Sequence, residues 1–177
     1  MTWISRWLKS DYRQEKQKQF EVIDQYLDFK PKNILDIGCG IAYESIAFNK
    51  KYNTQLTLLD SDETDGRRSG WGNTDNFKFY TNLETLDNYF QSVNLKGYLL
   101  TDIKNYQSNE KFDIICSYLS CGFHYPIDTY MDLITKHMHE NTRLIFSLRK
   151  NVQHNCKIIH TIFEEPKFKL AEIQLLS

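Results

Sequence analysis

The stretch ILDIGCGIAYE, Ile34 to Glu44, runs as an apolar strand-like segment, breaks at two glycines and then turns helical. Glycine alone takes positive φ without penalty, so Gly38 and Gly40 suit a plain turn. They also suit a backbone left bare for a nucleotide cofactor at the end of a strand. The rest of the chain has to decide between the two.

Working outward, residues 13–29 place Phe20, Ile23, Tyr26 and Leu27 at helical spacing, and Pro31 stops the run. Asn33 to Ile37 reads as a strand, about Tyr43 to Lys50 as a helix, and Gln55 to Asp60 as a second strand. Ser61 to Asn76 is all turn formers and charge, a loop over one edge of the sheet. Residues 82–93 are helical, with Leu83, Leu86, Tyr89 and Phe90 on one face. Tyr98 to Ile103 and Phe112 to Ser120 are the third and fourth strands, Asp128 to Met138 a helix, and Thr142 to Arg149 the fifth strand. In the tail, Val152, Cys156, Ile159 and Phe163 fall at helical spacing, and a sixth strand follows Pro166. A seventh, antiparallel strand is either absent or hidden in a tail read one element short.

Strands alternating with helices predict an α/β fold: a Rossmann-like, doubly wound, mostly parallel sheet with helices on both faces. The chain has 177 residues, enough for one domain, with 1–30 as an N-terminal helical cover and 31–177 as the core. The 22 basic and 23 acidic residues leave a net charge of -1, which gives no general pull toward nucleic acid or acidic membrane. Cys39, Cys116, Cys121 and Cys156 have neither metal-ligand spacing nor the density of a disulfide scaffold, so a reduced, cytoplasmic protein is expected. No run approaches the roughly 20 apolar residues of a membrane span, and residues 1–9 lack the long apolar core of a signal peptide.

Sheets of this kind bind ligands outside the carboxyl ends of their strands. Those ends read Asp36 to Gly40, Asp60 to Glu63, Thr101 to Lys104, Ser117 to His124 and Ser147 to Lys150. A single aspartate at such a place is often only a cap or turn residue. The set is harder to dismiss: two glycines after the first strand, and Asp60 about twenty residues on, placed to accept both hydroxyls of a ribose.

DIGCG at Asp36 to Gly40, LLD ending at Asp60, TDI at Thr101 to Ile103 and FDIICSYLS from Phe112 resemble the first four motifs of the class I methyltransferases, which use S-adenosyl-L-methionine. The resemblance covers roughly Lys30 to Leu176 and implies a cofactor site made of Asp36, Gly38, Cys39, Gly40, Asp60, Ser61, Asp102, Ile103 and Ser117. In it, Asp36 would organise the methionine end and Asp60 would hold the ribose. Asp102 would take the adenine amine, and Ile103 would pack on the ring. One departure is visible: the family's third glycine is Ala42 here, which makes the loop tighter. A nicotinamide dehydrogenase is the rival for the same scaffold, but its fingerprint wants glycine where Tyr43 stands. A carboxylate such as Asp36 also suits an ammonium and a sulfonium better than a diphosphate.

Methyl transfer needs alignment, desolvation and, for an oxygen acceptor, a base. In the segment after the fourth strand His124 is the candidate base, its alternative being a loop histidine that bonds only backbone. Tyr118, Phe123 and Tyr125 read as acceptor-pocket wall or ordinary core, and Arg67 as a contact for an anionic acceptor or a solvated loop residue, as does Arg68. Trp3 and Trp7 would cover the cofactor cleft or pack beneath it. His137 and His139 do not share a helix face, so no metal is expected.

The stretch SYLS departs from the signature of the amino-group methylases of nucleic acid bases, and Pro126 is followed by Ile127, not by the cysteine of a cytosine-ring methylase. A small-molecule acceptor is therefore expected. GFHYPIDTY is similar to small methyltransferases, phage-borne ones among them, of the sugar O-methyltransferase type. A non-catalytic cofactor-binding module, or a partner subunit of a larger methyltransferase or a homo-oligomer, remains as the alternative.

Overall fold

Strands as apolar as NILDI and QLTLLD are stable only when both of their faces are covered. The computed structural model describes residues 10–61 and 82–176. In chain order it contains α1 (Ser10–Tyr26), β1 (Asn33–Ile37), α2 (Tyr43–Tyr52), β2 (Gln55–Asp60), α3 (Leu83–Ser92), β3 (Tyr98–Asp102) and β4 (Ile114–Ser117). A 3₁₀ turn (Ile127–Tyr130), α4 (Met131–His137), β5 (Arg143–Arg149), β6 (Cys156–Glu164) and β7 (Phe168–Leu175) follow. The strands form one sheet in the order β3-β2-β1-β4-β5-β7-β6. β1 to β5 are parallel, and β7 runs antiparallel to both β5 and β6.

Successive strand residues point to opposite faces, so each strand feeds two cores. Ile34, Leu56 and Leu58 pack with Phe20 and Ile23 of α1, Phe48 of α2 and Phe90 of α3. Leu35, Ile37, Leu59 and Ile115 pack on the other face with Ile127 and Ile134 from the 3₁₀ turn and α4. Helices thus lie on both faces, as expected. α1 is tied into its layer by Lys16, which pairs with Glu44 of α2 at 2.7 Å with both side chains buried. At its other end the Tyr26 hydroxyl donates to Glu172 of β7, which also binds Arg143 of β5, and the Tyr26 ring stacks on His160 of β6.

The tail is where expectation fails. Cys156 to Glu164 is a strand rather than a helix, so the sheet has the seventh strand that the reading left open. Ile158, Ile159, Thr161 and Ile162 are β-branched and favour an extended chain. Register shifts between Ile158 and His160 and between Thr161 and Phe163 break the alternation of period two, and the helical spacing is what remains visible. Two smaller differences bear on the site. The fourth strand stops at Ser117, because Leu119 adopts φ +66° and turns the chain out of the sheet. The expected helix from Asp128 begins as a 3₁₀ turn after Pro126 and becomes α-helical only at Met131. The Ser61–Asn76 loop beyond Ser61, with Arg67 and Arg68, lies outside the described residues, as do Trp3 and Trp7. Among the described residues no helix is long and apolar enough to cross a membrane.

Candidate functional site

Parallel order brings the carboxyl ends of β1, β2, β3 and β4 to one edge. There the chain leaves β1 through Gly38 at φ +68° and Gly40 at φ +50°. The amides of Gly38 and Cys39 both donate to the Leu59 carbonyl, at 2.8 and 3.0 Å, rolling the turn across the end of β2. The amide of Ala42 closes the turn on the Cys39 carbonyl at 2.8 Å, and α2 starts from it. Ala42 itself stands at φ 49°, in the left-handed region that costs a residue with a Cβ about 1–2 kcal/mol.

The two glycines do different work. A Cβ at Gly38 would lie 2.0 Å from Ser120 Oγ and 2.4 Å from Ser120 Cβ, so the bare backbone there lets the loop after β4 close over the turn. Among the described residues a Cβ at Gly40 would meet nothing within 4 Å, so Gly40 faces open space there.

Two carboxylates flank this turn. Asp36 is 1% exposed; Ser45 Oγ donates to its Oδ2 at 2.6 Å, while its Oδ1 is buried with no hydrogen-bond partner among the described residues. Burial pushes its carboxyl up to about 7, helped by the nearby charges of Glu44 and Asp60 and opposed by Ser45 and Lys16. A buried acceptor left unmade costs about 1–3 kcal/mol, so a donor or cation at that oxygen would be bound with advantage. Asp60, also buried, accepts from the amides of Gly40 at 2.7 Å and Ser61 at 2.8 Å. Asp102 stands beside Asp60 in the β2–β3 register and accepts from the Lys104 amide at 2.7 Å. The Ile103 amide donates to the Asp60 carbonyl at 2.9 Å, which sets Ile103 at the same edge.

Ser117 and Cys39 are both buried beside the turn. Ser117 is fully buried, donates to the Ile37 carbonyl at 2.6 Å and accepts from the Cys121 amide at 2.8 Å, so its hydroxyl lashes the loop after β4 to the end of β1. Burial, with the charges of Asp60 and Asp36, holds the Cys39 thiol well above its ordinary value, and it remains a neutral thiol. The loop itself is tight: the Ser120 carbonyl accepts from the amides of Phe123, His124 and Tyr125 at 3.1, 2.7 and 3.3 Å. His124 meets the Phe123 ring edge to face at 4.8 Å, and Phe123 in turn meets Phe168 of β7 at 5.9 Å. Tyr118 packs against the α1–α3 side of the core. His137 and His139 sit at the opposite edge of the sheet, His137 buried with Nδ1 2.7 Å from the Glu110 carbonyl and His139 3.6 Å from Asp113.

Sequence reasoning missed Leu119 and Ser120. A leucine at positive φ has no compositional signal, and Ser120 matters only because β4 lies beside β1. The one available hint was that Gly38 must be bare for some reason.

No protein-family model and no curated protein sequence matches the chain. Solved structures do match in fold. The PH0226 protein from Pyrococcus horikoshii OT3 superposes with a TM-score of 0.68 at 10% identity, over 96% of this chain and 93% of that one. The ribosomal protein L11 methylase from Lactobacillus delbrueckii subsp. bulgaricus gives 0.59 at 13% identity, over 92% and 79%. The plantazolicin methyltransferase BpumL, solved with a monoazolic desmethylPZN analog and SAH, gives 0.56 at 22% identity over 82% of this chain; the match spans 51% of that enzyme. The fold, a Rossmann-like mostly parallel sheet, is the one these structures share.

Proposed function

We propose that this chain binds S-adenosyl-L-methionine across the Gly38–Gly40 turn and transfers its methyl group to a small-molecule acceptor, an oxygen nucleophile such as a sugar hydroxyl. The observation that carries the reading is Asp36 Oδ1, a buried carboxylate oxygen that has no partner among the described residues, beside a glycine turn whose Gly40 faces open space among those same residues. An ammonium supplies the missing partner, and a diphosphate would be repelled there. Asp36 then holds the methionine end, Asp60 the ribose hydroxyls, and Asp102 with Ile103 the adenine. Ser61 borders the ribose, and Cys39 lines the turn as a neutral wall. Ser117 acts through the loop that it lashes down. When bound, the cofactor supplies a methyl group already activated by its sulfonium.

The protein's own part is to align the acceptor, exclude water and accept a proton. His124 is held for that last task by its amide bond to Ser120 and by the edge of Phe123, with Tyr118 and Tyr125 as walls of the acceptor pocket. His124→Ala should retain affinity for S-adenosylhomocysteine while turnover falls about 100-fold, the usual worth of a positioned base. Transfer of labelled methyl across sugar, phenol and nucleic acid acceptors checks this. Wild-type turnover in the variant would reduce His124 to a wall residue.

Cofactor affinity should also depend on pH. With its carboxyl raised to about 7, Asp36 in the free protein keeps a proton below that pH. Its folded value lies above its unfolded one, so the group disfavours folding progressively from about pH 4 up to about pH 7. A bound ammonium requires the ionised form. Affinity for S-adenosylhomocysteine should therefore fall roughly tenfold per pH unit below 7 and level off above it, with a proton released on binding. Calorimetry in buffers of different ionisation enthalpy reads both quantities. Asp36→Asn should abolish the slope, and a slope that persists would remove Asp36 from the site.

A further inference from the structure

At the far side of the same edge a cavity of about 460 Å³ is lined by Phe123, Arg149, Lys150, Val152, Pro166 and Lys167. Among the described residues three cations and no carboxylate line it, in a chain whose net charge is -1. The antiparallel pairing of β5 with β7 assembles them. Arg149 ends β5 opposite Phe168, and the Lys150 amide donates to the Lys167 carbonyl at 2.9 Å. The Arg149 amide donates to the Gly122 carbonyl at 3.0 Å, which joins this wall to the loop that carries His124. The guanidinium lies over the Phe123 ring, 5.6 Å from its centre, so the fork is pre-positioned rather than trailing in solvent. Lys150 reaches Glu164 at 2.9 Å, and Glu164 is more than half exposed. Among the described residues neither Arg149 nor Lys167 has an ion-pair partner.

We propose that this pocket is an acceptor subsite that binds an anionic group, a carboxylate or a phosphate, with Arg149 and Lys167 as its principal contacts. The inference rests on the methyltransferase reading for the word acceptor, and on the pocket alone for the anion. It narrows the substrate class from any small oxygen nucleophile to one that carries a negative charge, such as a sugar acid or a phosphorylated sugar. Planar, bidentate recognition by arginine fits both groups, and the Phe123 face suits a ring or an apolar edge beside the charge.

The test is binding of phenyl phosphate, with phenol as its neutral counterpart, to the wild-type chain, to Arg149→Gln and to Lys167→Glu. Lys167 lies exposed in the β6–β7 turn, so the second variant stays folded even where the first disturbs the Phe123 stack. Phenyl phosphate should bind the wild type at least tenfold more tightly than either variant, and phenol should bind all three alike. S-adenosylhomocysteine, titrated in the same preparations, should bind all three equally. Equal phenyl phosphate affinity in the three proteins, or phenol binding as well as phenyl phosphate, overturns the anion pocket. A tenfold loss in the variants of a protein that takes no S-adenosylhomocysteine overturns its role as an acceptor subsite.

Discussion

Asp60→Asn should weaken S-adenosylhomocysteine binding by about 30- to 1,000-fold while the protein stays folded. Two charge-assisted hydrogen bonds to ribose hydroxyls are worth on the order of 2–4 kcal/mol, and each 1.4 kcal/mol is a factor of ten in affinity. Asparagine keeps the shape of the side chain and an acceptor oxygen for one of the two amides that Asp60 holds, Gly40 at 2.7 Å and Ser61 at 2.8 Å, and loses the other. The unfolding temperature should therefore drop as well, and the affinity is measured at a temperature where the variant is fully folded. Titration calorimetry together with thermal unfolding separates the two. A folded variant with unchanged affinity would take the ribose away from Asp60.

Gly38→Ala should act on the fold itself. An alanine there pays about 1–2 kcal/mol for φ +68°, and its methyl would lie 2.4 Å from Ser120 Cβ, a contact that no rotamer of serine relieves. Overpacking of that kind typically costs a further 1–3 kcal/mol, so the total loss should be about 2–5 kcal/mol in denaturant unfolding. Ser120→Gly introduced into the same chain should return the packing part and leave the backbone part. If the double variant is no more stable than Gly38→Ala alone, the close approach of the β4 loop to the turn is not what makes glycine necessary. Gly40→Ala is the control. It has open space for the methyl group and should cost only the backbone term.

What could be read from the sequence follows from what each residue needs around it. Gly38, Gly40 and Asp60 announce themselves because positive φ and a strand-end carboxylate are local properties, decided within a few residues. The alternation of Ile34 with Leu35 and of Leu58 with Leu59 likewise reports a strand with two covered faces. β6 was not legible, since two register shifts against β7 erase the period on which strand recognition depends. The duties of Ser117 and Ser120 were hidden for another reason: their partners at Ile37 and Gly38 are about eighty residues away and come near only when β4 pairs with β1. The same holds for Arg149 and Lys167, which nothing in their neighbourhood marks as a pair until β5 and β7 run antiparallel. Asp36 stands between these cases. Its position is local, but its unpaired oxygen and raised carboxyl arise from burial that only the complete sheet supplies.

The alternative of a non-catalytic module or a partner subunit makes its own demands on the surface. A subunit interface would need one large apolar patch. Among the described residues the large exposed apolar side chains are Val22 on α1, Leu99 on the β3 edge, Ile159 on β6 and Leu176 at the end of the chain, which lie on separate elements.

Equilibrium titration of the wild-type protein with S-adenosylhomocysteine, run beside NAD and NADP, tests the central claim most directly. The account predicts saturable one-to-one binding of S-adenosylhomocysteine, with a gain of about 2.7 kcal/mol in stability when the ligand stands at 100 times its Kd, and no gain with either nicotinamide. Saturation by a nicotinamide alone, or no binding of S-adenosylhomocysteine by the folded protein, would contradict it.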